Sequence, residues 1–132
     1  MYNSIGPMPS IHVALTHSRK GVAKAMNKLG IKKKPRDVKL MSAATTYTLE
    51  RRDTGECAFI VYVSPESVEW GAHRDVGTIA HEASHIARSY FESLGEASPS
   101  DELQAYTIGH IVSELCGAHF AWKRKKLRKA KA

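Results

Sequence analysis

The chain of 132 residues predicts an α+β fold: an N-terminal helix, a β-hairpin or small antiparallel sheet, then two long helices packed as an antiparallel hairpin. Three observations carry that expectation. Two runs of branched and aromatic residues, around Thr45 to Leu49 and Ala58 to Val63, flank a turn-forming Asp53-Thr54-Gly55. From about residue 73 the pattern changes to apolar residues three and four apart, the mark of an amphipathic helix. A few residues after that helix stops, Ser98-Pro99-Ser100-Asp101 reads as the start of another.

The elements follow in order. Residues 1–10, with Gly6, Pro7 and Pro9, read as irregular. Residues 18–29 read as a helix with a narrow stripe of Val22, Ala23, Met26 and Leu29, ended by Gly30. A basic, linker-like Lys32-Lys33-Lys34-Pro35 precedes the hairpin. The first long helix runs from His73 or Arg74 to Leu94, with Val76, Ile79, Ala80, Ala83, Ile86, Ala87, Tyr90, Phe91 and Leu94 as its buried stripe, and Gly95 supplies a left-handed stop. In the second, Ser98 is the expected N-cap, Pro99 the first helical residue and Asp101 the returning side chain of a capping box. Glu102 is then left without a capping duty.

Composition points to one domain over residues 1–122 and a basic tail over 123–132. No run of 18 apolar residues and no charged-then-apolar leader occurs, so a cytoplasmic protein without a membrane span is expected. Cys57 and Cys116, far apart in sequence, read as two free thiols of a reducing compartment. Charge is segregated. Residues 1–39 hold nine Lys/Arg against one acid, residues 40–122 four against twelve, and residues 123–132 seven and no acid. Both basic ends are expected to bind polyanions, nucleic acid or an acidic protein surface, without base recognition.

His81-Glu82-Ala83-Ser84-His85 lies on the first long helix, beside its apolar stripe. Histidines at i and i+4 share one helix face and can share one metal ion, while the glutamate between them takes a proton from a bound water. A short turn to the next helix would bring Glu102 to the pair, with Ala105 and Gly109 on its face allowing close approach. Two histidines and one carboxylate, with water in the fourth position, are the ligand set of a catalytic zinc.

In that order of residues, His81-Glu82-x-x-His85 followed by Glu102-x-x-Ala105, the chain resembles the gluzincin branch of zinc metallopeptidases. It is similar to the small ImmA/IrrE-type domains and to short HExxH proteins of bacteriophage genomes, over about residues 43–115. The chain has Ile108-Gly109 where the ImmA/IrrE-type pattern continues with Phe-Ala. The resemblance implies a minimal zincin-like domain holding one zinc ion per chain through His81, His85 and Glu102, with Glu82 as general base. It implies hydrolysis of a peptide or protein in extended conformation, paired along an edge strand for which Ala58 to Val63 is the first choice. Tyr106, and after it His110, are the candidates for steadying the oxyanion. The alternative is a zincin-scaffold protein that does not catalyse, such as a phage structural, morphogenesis or regulatory component with a structural or vestigial metal.

Overall fold

The computed structural model describes residues 2–4, 11–40, 42–50, 56–96 and 98–131. It is α+β, and the chain divides into two compact units, Met1–Pro65 and Glu66–Ala132. The hairpin turn expected at Asp53-Thr54-Gly55 lies outside the described residues.

The first unit is built on a mixed sheet. Its strands are β1 (Tyr2–Ser4), β2 (Ile11–Thr16), β3 (Ala44–Glu50) and β4 (Cys57–Val63), in the order β1-β2-β4-β3. The expected hairpin is present as the antiparallel pair β3 and β4, in register from Ala44 opposite Val63 to Glu50 opposite Cys57. Two features depart from expectation. Residues 2–4 form a strand where irregular chain was expected, and β2 pairs parallel to β4, so the sheet is not purely antiparallel. As a result β4 is an inner strand paired on both sides. The segment from Ala58 to Val63 is therefore not an edge on which a peptide can add, and its backbone donors and acceptors are already committed to β2 and β3. Every residue of β4 is buried, which accounts for its unbroken apolar run.

Helix α1 (Arg19–Lys28) starts and stops where the sequence indicates. Ser18 Oγ accepts from the Gly21 N–H at 2.9 Å, and Gly30 follows with φ of 85°. Its buried face of Val22, Ala23, Ala25 and Met26 packs with Ala14, Val38, Ile60 and Tyr62 in one core cluster.

The second unit is a helical hairpin, α2 (Ala72–Ser93) and α3 (Asp101–Lys131). Helix α2 ends in a Schellman motif: Glu96 N–H donates to Phe91 O at 2.9 Å, Gly95 N–H donates to Glu92 O at 3.0 Å, and Gly95 has φ of 72°. Helix α3 is capped by Ser100 rather than Ser98. Ser100 Oγ accepts from the Leu103 N–H at 3.2 Å, and its carbonyl accepts from Gln104 N–H at 3.0 Å. Asp101 and Glu102 thus both occupy the first turn, so no capping box distinguishes them. At its other end α3 runs without interruption to Lys131, so residues 123–131 are helix and not a separate tail. Among the described residues no helix is long and apolar enough to cross a membrane.

Candidate metal centre

His81 and His85 project from the same face of α2, as their i, i+4 spacing requires. Their Nε2 atoms are 3.1 Å apart, and the rings meet edge to face with centroids 4.8 Å apart. Two nitrogens bound to one tetrahedral zinc at about 2.0–2.1 Å stand roughly 3.3 Å apart, so the observed pair spans nearly the distance that one ion needs. Two neutral rings at this distance can also share one N–H between them. The side chain of His81 is 69% exposed, and Glu82 Oε2 lies 3.9 Å from its Nε2. Glu82 was expected beside the buried stripe; it lies within it, only 5% exposed.

The hairpin register decides what else reaches the pair, and that register is set by a buried polar cluster. Asp75, 1% exposed in the first turn of α2, holds two residues of α3. Its Oδ1 is 2.9 Å from His119 Nε2 and its Oδ2 is 2.6 Å from Lys123 Nζ. Lys123 Nζ also donates to the Trp70 carbonyl at 2.5 Å, and the Arg74 guanidinium lies 4.0 Å over the Trp70 ring. His119 is fully buried and stacks on Trp122. The cluster was visible in the sequence as a spacing of four, Thr107, Ile111, Leu115, His119 and Lys123, in which polar residues continue an apolar stripe. It was missed because Lys123 was read as the first residue of a basic tail outside the domain.

At about 1.5 Å per residue, His85 lies ~15 Å along α2 from Asp75, while Glu102 lies ~25–30 Å along α3 from His119 and Lys123. Glu102 is therefore carried roughly 10–15 Å beyond the pair along the hairpin axis. It is exposed there. Among the described residues no group of three or more His, Cys, Asp or Glu side chains is gathered as a metal would require. The structure brings His81, His85 and Glu82 together and leaves Glu102 apart. His110 falls at about the level of His85 by the same register, and Tyr106 one turn further on; their rings touch edge to face, centroids 4.5 Å apart.

A recess of about 740 Å³ begins on the same stretch of α2. Ser84, Ala87, Arg88 and Phe91 line one side, Gln104 and Ile108 of α3 another, and Gly95, Glu96, Ser98 and Pro99 close the turn end. Polar and apolar groups share its lining, and Arg88 has no charged partner among the described residues. Of the two cysteines, Cys57 is buried and Cys116 half-buried. Burial, and after it the charge of Asp75, push the Cys116 thiol above its ordinary value.

Comparison with protein families, curated proteins and solved structures finds no match to this chain. Its functional reading rests on the chemistry of its own residues.

Proposed function

We propose that this chain is a zinc-dependent hydrolase of peptide bonds, with His81 and His85 as metal ligands and Glu82 as general base. The observation that supports the reading is the 3.1 Å separation of the two Nε2 atoms, with the Glu82 carboxylate 3.9 Å from one of them. A zinc ion held there would lower the pKa of a bound water towards ~7 and polarise a substrate carbonyl. Glu82 accepts the proton of the attacking water and returns it to the leaving amine. Its burial suits that task, because bulk water does not compete for the carboxylate. The recess beside Ser84 and Arg88 accepts a substrate side chain against Ala87, Phe91 and Ile108 of its lining. His110, level with His85, and Tyr106 beyond it are the donors proposed for the oxyanion.

Glu102 is the third ligand that the gluzincin resemblance puts forward, and it completes the set only if the first turn of α3 moves towards the pair. The second reading, a scaffold protein with a structural or vestigial metal, draws its support from that distance. One experiment separates them. The zinc-loaded protein is incubated with an unfolded protein substrate, beside Glu82→Gln and Glu102→Ala. We expect cleavage by the wild type and a loss of ~100-fold or more in Glu82→Gln with zinc retained; zinc binding falls in Glu102→Ala if the first turn of α3 closes onto the pair and is unchanged if it does not. Equal cleavage by Glu82→Gln removes the general base from the mechanism. Zinc binding with no cleavage of any substrate favours the scaffold.

A further inference from the structure

We infer that the last two turns of α3 form a binding element for the phosphates of duplex DNA, separate from the histidine site. Arg124, Lys125, Lys126, Arg128, Lys129 and Lys131 are all helical and exposed, and none has an acidic partner among the described residues. No acid follows Glu114 in the sequence. From Arg124 to Lys131 the helix rises ~10 Å, so the cations are spaced about one per 1.7 Å along its axis. B-form DNA carries one phosphate charge per ~1.7 Å of its own axis. The two charge densities match.

The distribution around the helix selects the partner. At 100° per residue the six cations cover an arc of ~220°, and the remaining sector holds Leu127 and Ala130. A flat bilayer or protein face meets one side of a helix, and an anchor in a bilayer needs a broad apolar side, which one leucine and one alanine do not give. A helix in the major groove, about 12 Å wide, has phosphate walls on both sides and uses a wide arc of charge. The groove of A-form RNA is too narrow to admit it. Compensation of the helix dipole calls for a cation or two in the last turn, not six over two turns.

The anchoring fits the same role. Lys123 is the last residue of α3 fixed to the start of α2, through Asp75 and the Trp70 carbonyl. The cationic turns begin at the next residue, so they project from the point where α3 is tied to Asp75 and Trp70. Like charges at i, i+4, Arg124 with Arg128 and Lys125 with Lys129, repel one another until phosphates neutralise them.

The test is fluorescence anisotropy with a mixed-sequence 20-base-pair DNA duplex over a range of salt, with EDTA present so that the result does not depend on zinc. Wild type is expected to bind with a slope of log K against log salt near −5, about −0.9 for each phosphate contacted. The triple variant Lys125→Gln, Arg128→Gln, Lys129→Gln, shown folded by circular dichroism, is expected to lose roughly half that slope. A double-stranded RNA of equal length and vesicles with anionic lipid are run beside it and are expected to bind at least ~10-fold more weakly. An unchanged slope in the triple variant overturns the assignment, as does tighter binding to the RNA or the vesicles.

Discussion

Asp75 holds His119 and Lys123 in one buried cluster. Removing one member of a buried pair leaves the other charged and unpaired, which costs about 3–5 kcal/mol. Asp75→Ala leaves the Lys123 ammonium in that state, and Lys123→Met leaves the fully buried Asp75 carboxylate with only the His119 ring. Urea denaturation is therefore expected to show a loss for each single variant and, for the double variant Asp75→Ala,Lys123→Met, a loss smaller than their sum; additive losses would contradict the pairing. Cys116 offers a second check at this scale. Its thiol titrates above the ordinary 9.0 because burial and Asp75 disfavour the thiolate. The group's contribution to stability is whole below that ordinary value and is lost as pH rises through the folded-state value. Alkylation of native Cys116 is expected to lag behind that of the urea-unfolded chain around pH 8–9 and to catch up at higher pH, followed by mass spectrometry.

At the scale of elements, the helix ends make the most direct test. A Cβ at Gly95 would meet nothing within 4 Å, so the cost of Gly95→Ala is backbone strain alone, about 1–2 kcal/mol for the left-handed conformation. Gly21→Ala is different: its Cβ would overlap the Thr16 hydroxyl and approach Thr16 Cβ to 2.9 Å, so β2 or α1 must shift, for about 1–3 kcal/mol. Thermal melts of the two variants, compared with Thr16→Ala,Gly21→Ala, separate the causes. Relief by the second alanine, which removes the overlapping hydroxyl, is expected at Gly21 and has no counterpart at Gly95. These same ends were legible in the sequence, because a serine cap and a glycine stop act over a few residues. The parallel pairing of β2 with β4 was not legible. Its partners are distant in the chain, and Ile11-His12-Val13-Ala14-Leu15-Thr16 alternates too weakly to announce a strand alone. The cap of α3 was placed two residues early because Ser98 and Ser100 offer the same hydroxyl, and only the structure shows which N–H it meets.

At the scale of the whole chain, the approach of the two histidines was legible and the position of Glu102 relative to them was not, for one physical reason. His81, Glu82 and His85 lie within five residues of one helix, so local geometry alone sets their relation. Glu102 sits on another helix, and its distance from the pair depends on the hairpin register, which is fixed by Asp75, His119 and Lys123 far from both. The charge segregation was legible as composition, but its form was not: the cations after Lys123 continue a 31-residue helix instead of a tail. The measurement that bears most directly on the central proposal is the zinc content of the purified protein after dialysis into metal-free buffer, beside His81→Ala and His85→Ala. Both histidines are exposed, so both variants are expected to keep the wild-type helical content. The expected result is one zinc per wild-type chain and none in either variant; a fully folded wild type that takes up no zinc when it is supplied would contradict the site.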